Sequence, residues 1–256
     1  MIKVVLLGLV QGITEFLPIS SSGHLALFHH LLGYYPLFSF DVLAHFGTLM
    51  AILWFFRLDL VLLVRGIFNW TEKKEAEKQR QLLTRLILAS LPVLLVGLLF
   101  GEKVSLAFNS PRLVAIGFWI TALLLLSGRF VRCPVKGWRG RLLGIGLFQA
   151  LSIMPGISRS ASTITSARIL GEEKEEAFRL SFLLGLIAIG AAVVYEIPQL
   201  CQFNIGQIKE GLLVVLVSFL AGLVALKTLY RLFLIDKMWY LAFYCLLLGT
   251  IIFFFL

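Results

Sequence analysis

The chain has 256 residues, 59% of them hydrophobic and 14% charged, with a formal net charge of +9 and a mean hydropathy of +0.95. A soluble domain carries roughly a quarter of its residues as charges, so this balance excludes an ordinary soluble globule and points to an integral membrane protein of one domain, residues 1–256. The positive excess does not point to nucleic acid, because the basic residues fall in short loops between apolar segments and do not interleave with aromatics.

A spanning helix needs about 20 mostly apolar residues. Met1–Leu17 is apolar but stops at Pro18, and Gly23–Leu32 is too short to cross. The two together are expected to form a hairpin that enters the membrane and returns on the same side. Leu37–Phe56, Leu82–Phe100 and Leu113–Phe130 follow as full spans. Leu142–Met154 then stops at Pro155, with another short piece at Ser160–Leu170, and reads as a second hairpin. Ala177–Ile197, Leu212–Tyr230 and Met238–Leu256 bring the expected spans to six. Apolar segments run to Leu256, so a cleaved signal peptide does not account for the hydropathy. The mixed run Glu72–Arg80 reads as a wet loop, and Glu172, Glu173, Glu175 and Glu176 as the solvated start of a helix, where acids suit the dipole. Cys133, Cys201 and Cys245 have no metal-ligand spacing and read as small apolar fillers.

The stretch GLVQGITEFLPISSS (Gly8–Ser22) returns without a gap as GLFQALSIMPGISRS (Gly146–Ser160), 138 positions later. The same offset places Phe40 on Phe178 and Gly47 on Gly185. A constant offset argues for a duplicated half, with repeat one at about 1–130 and repeat two at about 139–256. Lysines and arginines gather in Arg57–Gln81, Arg129–Arg141 and Lys227–Lys237, whereas Gly101–Pro111 and Gln199–Glu210 hold one lysine each besides Arg112 next to them. Positive-inside counting puts the three basic loops in the cytoplasm and both termini outside. The first hairpin then enters from outside and the second from the cytoplasm. Each half has a hairpin and three spans, so the halves insert with opposite orientation. The fold class is therefore all-α, with about six transmembrane helices, two re-entrant hairpins and an inverted-topology repeat whose broken helices meet near mid-membrane.

The copies differ in their charged residues. Glu15 lies in apolar surroundings just before Phe16, Leu17 and Pro18, and an ionisable group at membrane depth is a functional candidate. It is also a candidate structural partner for Arg159. Gln11 is one helical turn earlier on the same face and could steady a metal or water held by Glu15. Ser20, Ser21 and Ser22 follow Pro18 and precede Gly23 and His24. Their hydroxyls and the free N–H groups of the next helix suit either N-capping or a phosphate. A serine hydroxyl near the His24 imidazole would be the pattern of an activated nucleophile. In the second turn, Arg159 stands between Ser158 and Ser160, with Thr163 a turn later. Arginine keeps its charge when buried and presents a planar fork to phosphate oxygens. Asp41 and His45 read as a supporting polar pair, and His29 and His30 as interfacial. Carboxylate, hydroxyl, imidazole and guanidinium together suit an anionic phosphate ester. An inverted repeat with an arginine at mid-membrane also suits a lipid-phosphate flippase or an anion transporter.

At these residues the chain resembles the undecaprenyl-diphosphate phosphatase (bacitracin-resistance) family. QGITEFLPISSSGHL matches the family's QxxxE…PxSSxGH motif, PGISRSAST its PGxSRSxxT motif, and FDVLAHFGTL (Phe40–Leu49) looks like a third family segment. The resemblance covers essentially the whole chain. It implies hydrolysis of the terminal phosphate of undecaprenyl diphosphate at the outer face of the bacterial inner membrane, which recycles the lipid carrier of cell-wall synthesis and confers bacitracin resistance. It also implies a divalent cation, Mg²⁺ or Ca²⁺, with Glu15 as its candidate ligand. By resemblance Glu15 is the essential acid, Ser21 the nucleophile, His24 its partner and Arg159 the phosphate-binding group. Gln11, Ser20, Ser22, Ser158, Ser160 and Thr163 are then expected around the substrate. Many members carry glutamate where Gln11 stands, so a two-carboxylate metal site is not matched here. The expected partners are the polyprenyl diphosphate and membrane lipids, with a homodimer as an option.

Overall fold

The computed structural model describes residues 1–32, 38–200 and 205–256. These form helices α1 Ile2–Phe16, α2 Ser21–Leu32, α3 Phe38–Phe55, α4 Arg57–Ile67, α5 Lys73–Ala107 and α6 Pro111–Phe130. There follow α7 Trp138–Leu151, α8 Arg159–Ile169, α9 Lys174–Leu200, α10 Ile205–Leu234 and, after a 3-10 turn at Met238–Tyr240, α11 Leu241–Phe255. No strand occurs among the described residues. Leu37 and Cys201, named in the sequence reading, lie outside them, as does part of the Gln199–Glu210 connection.

Five helical stretches are long and apolar enough to cross a membrane: Lys73–Gly101, Pro111–Phe130, Lys174–Tyr195, Gly206–Leu234 and Met238–Phe255. A sixth crossing requires α3 and α4 together, and these are bent by 74° at their junction. Leu94, Leu95, Leu98 and Leu99 of α5 are all exposed, Leu98 by 78%. Such an apolar surface would be a liability in water and is at home against lipid tails. The chain is a multi-pass membrane protein.

Two expectations are corrected. The run Glu72–Arg80 is not a loop, because α5 starts at Lys73. Ala76, Gln79, Leu82 and Leu86 are buried and recur at helical spacing on one face, so a stripe of small and amphipathic residues continues the span beyond its apolar part. The acidic cluster is only half solvated. Glu172 is buried, 3.7 Å from Arg85 and 3.5 Å from Arg141. Glu176 lies 2.7 Å from Arg85, and Arg179 reaches Asp59 at 2.6 Å. These pairs tie the start of α9 to α4, α5 and α7. Glu173 and Glu175 are exposed as expected.

α10 packs against α1 and α3, α7 against α5, α11 against α6, and α9 against α3. Backbones approach closely where small residues meet. A Cβ at Gly12 would stand 2.7 Å from the Ser218 carbonyl, and one at Gly47 would stand 2.9 Å from Ser218 Cβ, the small-residue packing typical of membrane helices. Under the first turn, Phe16, Phe56, Phe178 and Phe182 stack in an aromatic cluster, with centroids 4.6 Å apart for Phe178 and Phe182 and 6.0 Å for Phe16 and Phe182.

α8 is a polar helix inside the bundle, with every residue from Ser160 to Ala167 buried. Its hydroxyls make that tolerable by bonding their own helix. Ser162 donates to the Ser158 carbonyl (2.8 Å), Thr163 to the Arg159 carbonyl (2.9 Å) and Ser166 to the Thr163 carbonyl (3.2 Å). The spacing of apolar residues could not reveal this burial.

Candidate active site

α1 ends at Phe16 and the chain turns through Pro18 to Ser20, whose φ of 69° is left-handed. That conformation costs a non-glycine residue free energy, and hydrogen bonds to both its hydroxyl and its carbonyl hold it. The Ser20 hydroxyl accepts the Gly23 N–H (3.2 Å), and the Ser20 carbonyl accepts from His24 Nδ1 (2.7 Å). The second turn is held from outside. Thr121 of α6 donates to the Gly156 carbonyl (2.7 Å) and accepts the Ser158 N–H (2.9 Å). Gly156, with φ of 85° and its Cα pressed against Gly117, has no room for a side chain.

The turns share one detail. Ser20 and Ser22 hydroxyls lie 3.1 Å apart, and so do those of Ser158 and Ser160. Ser20 caps the Gly23 N–H and Ser158 caps the Ala161 N–H, each at 3.2 Å. Between each serine pair stands the residue that differs: Ser21 in one turn, Arg159 in the other.

Both reach Glu15. Ser21 Oγ donates to Glu15 Oε2 at 2.6 Å, Gln11 Nε2 donates to the same oxygen at 3.0 Å, and Arg159 Nη2 donates to Glu15 Oε1 at 2.8 Å. Arg159 Nη1 is buried and has no hydrogen-bond partner. It rests over Gly185 of α9, where a Cβ would collide with it. Thr163 bonds Ser181 at 2.5 Å and so lies behind Arg159 rather than beside Glu15. The site brings together Gln11, Glu15, Ser21 and Arg159 directly, with Ser20, Ser22, Ser158 and Ser160 in the turns that present them.

His24 is placed differently from the expectation. Its Nε2 meets the Tyr244 hydroxyl at 2.7 Å, its ring stacks on Tyr244 and its edge faces Phe118. A carbonyl can only accept, so Nδ1 carries the proton towards Ser20, and Nε2 of the neutral ring accepts from Tyr244. Both nitrogens are engaged, and the Ser21 hydroxyl points to Glu15 instead. The serine–histidine couple expected from spacing is absent among the described contacts, because the left-handed Ser20 turns Ser21 inward. Asp41 and His45 are one turn apart as expected, but Asp41 pairs with His29 (2.7 Å) and the His45 ring meets the Asp41 carbonyl (2.8 Å). His29 is therefore buried within the protein in an ion-pair geometry, while His30 is exposed. A cavity of about 570 Å³ adjoins the first turn, lined by polar residues including Ser22, His29 and Asp41 and by apolar ones such as Leu25, Val114 and Ile252.

No group of three or more His, Cys, Asp or Glu able to hold a metal occurs among the described residues. The atoms that could face a cation are nevertheless oxygens: the Glu15 carboxylate, the Ser21 hydroxyl on it, and Gln11 Oε1, which is buried without a partner. That set suits a hard cation which brings water and phosphate oxygens of its own, and does not suit a cage made by protein alone. Sequence reasoning missed Tyr244, Thr121, Gly185 and Ser181. They carry no local signal, since each acts on a partner in another helix.

A model of the family described as bacitracin resistance protein BacA matches residues 4–251. The chain is 37% identical over 270 residues to an undecaprenyl-diphosphatase of Desulfatibacillum aliphaticivorans, covering 97% of this chain and 96% of that one. It is 37% identical over 257 residues to an undecaprenyl-diphosphatase of Thermosipho africanus, with 98% of each chain covered. An undecaprenyl-diphosphatase of Alkaliphilus metalliredigens is 34% identical over 266 residues, covering 98% of this chain and 96% of that one.

Proposed function

Since the chain belongs to the bacitracin resistance protein BacA family, we propose that the Glu15–Ser21–Arg159 constellation is where it removes the terminal phosphate of undecaprenyl diphosphate. The chain is an undecaprenyl-diphosphate phosphatase by family, a hydrolase whose product is undecaprenyl phosphate. The observation that carries the site assignment is Arg159 Nη1, a buried cationic donor with no partner next to a hydroxyl on a carboxylate. A buried donor left unsatisfied is costly, and a phosphate oxygen would satisfy it.

The steps follow from the contacts. Arg159 keeps one arm on Glu15 and gives the other to the terminal phosphate. Ser21 Oγ attacks the terminal phosphorus, its proton passes to Glu15 Oε2, and the bond to the bridging oxygen breaks to release undecaprenyl phosphate. Water then attacks the phosphoserine, Ser21 recovers a proton and inorganic phosphate leaves. Positioning and charge neutralisation carry most of the acceleration in such transfers. Glu15 is the base in contact with the nucleophile. His24, fixed between Ser20 and Tyr244, positions the turn. A divalent cation, Mg²⁺ or Ca²⁺, would be held by Glu15 and Gln11 Oε1 together with the diphosphate, and would supply neutralisation of phosphate charge. The cavity beside Ser22 gives the apolar tail a route from the turn towards the lipid.

The inverted repeat belongs to the same reading. Its support is the paired serine brackets of the two turns and the matching way α1 lies on α10 and α7 on α5. With the basic loops in the cytoplasm, the first hairpin opens to the outer face of the bacterial inner membrane. Transport alone needs no hydroxyl on a carboxylate, so the Ser21–Glu15 contact favours chemistry over the transporter reading. Phosphate release from undecaprenyl diphosphate by detergent-purified protein tests it. Wild type should turn over many times and Ser21→Ala should not. Equal release by both would remove the serine from the mechanism.

A further inference from the structure

We infer a second, non-catalytic binding site for a phosphate group at the basic end of the bundle. A small cavity of about 50 Å³ lies between the end of α6, the end of α8 and the turn into α11. Arg129, Arg132 and Arg168 line it, with Asp236 and Trp239 at its edge and Thr165 in its wall. Asp236 does not offset the arginines, because Lys174 Nζ holds its carboxylate at 2.6 Å. Arg132 and Arg168 each use Nη1 on backbone carbonyls, at Gly128 and Val131 for the first and Glu172 for the second, all at 2.7 Å. These bonds fix the guanidinium groups beside the cavity without neutralising them. The Arg129 guanidinium makes no hydrogen bond or ion pair among the described residues.

Thr165 points to a ligand independently of charge. It is 1% exposed, and its hydroxyl is the one among the buried hydroxyls of α8 that finds no partner. Ser162, Thr163 and Ser166 all bond carbonyls of their own helix. Buried polar groups are nearly always satisfied, and three guanidinium groups with a hydroxyl form a donor set for one tetrahedral oxyanion. The phosphate could come from an anionic lipid headgroup, as in basic pockets between membrane helices, or from free phosphate. Nothing in this assignment uses Glu15, Ser21 or Arg159.

The test compares wild type, Thr165→Val and the double variant Arg129→Gln/Arg132→Gln as full chains. Each is placed in nanodiscs of phosphatidylcholine alone, or of phosphatidylcholine with phosphatidylglycerol, and separately in neutral detergent with and without inorganic phosphate. Thermal unfolding reads binding through ligand stabilisation. Wild type should gain stability from phosphatidylglycerol, from inorganic phosphate, or from both. The first result alone assigns a lipid headgroup, and a gain with phosphate assigns the free ion. The double variant should weaken the apparent Kd about tenfold or more. Thr165→Val keeps the shape and removes the unpaired hydroxyl. It should match or exceed wild-type stability without anion and lose most of the gain with it. An equal gain in all three proteins overturns the site, since the catalytic turns are intact in each. A Thr165→Val protein less stable than wild type in phosphatidylcholine also overturns it, because the hydroxyl would then have a partner within the protein.

Discussion

Arg159 divides its fork between Glu15 and an open position, and lysine cannot do both with one compact ammonium. Arg159→Lys should therefore lose at least about tenfold in kcat/KM, or ~1.4 kcal/mol of transition-state stabilisation, in a phosphate-release assay. Turnover near wild type would reduce Arg159 to a generic charge. Ser21→Ala should abolish hydrolysis and leave the thermal transition and lipid diphosphate binding in place. Ser22→Ala, which breaks only the hydroxyl contact with Ser20, should keep most activity. If Ser21→Ala keeps more than a few per cent, a water activated at Glu15 becomes the attacking group. Since the oxygens at Glu15 form no closed cage, a chelator should lower turnover yet leave the unfolding temperature of substrate-free protein unchanged. A drop in that temperature would indicate a resident metal.

At the level of elements, the two turns depend on helices remote from them in sequence. Thr121→Val removes both bonds that α6 makes to the second turn. It should destabilise the protein by about 1–3 kcal/mol, because the Gly156 carbonyl and Ser158 N–H are left buried without partners. Gly185→Ala puts a methyl group where Arg159 Nη1 rests. The side chain can move but its pairing with Glu15 cannot survive intact, so kcat/KM should fall about tenfold and the thermal transition should drop as well, because Glu15 loses part of its counter-charge. Unchanged kinetics would mean that the guanidinium has slack. The turns themselves were legible in the sequence, since proline, serines and an intramembrane charge are local signals. Gln11 was read beside Glu15 and Arg159 as a candidate partner of Glu15, and both contacts form. The role of His24 was not legible, because one left-handed residue, Ser20, decides which way Ser21 faces. Tyr244, Thr121 and Gly185 were invisible for a related reason, as their partners lie in other helices and a single sequence carries no record of who meets whom.

For the whole molecule, hydropathy located five of the six expected spans but not their ends, and the Leu37–Phe56 span becomes a crossing only together with α4 across a 74° bend. α5 continues as an amphipathic helix back to Lys73, and the burial of Glu172 between Arg85 and Arg141 was hidden in an acidic run that read as solvated. Orientation is the remaining large-scale expectation. Single cysteines in a background free of Cys133, Cys201 and Cys245 should be labelled from outside at Asn109, in the turn between α5 and α6, and from the cytoplasm at Asn69. Labelling at Asn69 from outside alone would invert the arrangement and place the first turn on the cytoplasmic side.

The bond between Arg159 and Glu15 spans 144 residues, which has a bearing on biogenesis. At a ribosomal pace of roughly 5–20 residues per second, the first turn waits on the order of ten seconds before the counter-charge of Glu15 is made. Until then Glu15 has Gln11 and Ser21 but no cation, and a lone carboxylate at membrane depth is unfavourable. If the Glu15–Ser21–Arg159 constellation is the catalytic centre, the contact that completes it also supplies the counter-charge Glu15 needs in the bilayer. A chain stopped at Gly128 should be cleared by membrane quality-control proteases faster than the same fragment carrying Glu15→Gln, as pulse-chase decay would record. Equal lifetimes would show that the bilayer tolerates the unpaired acid.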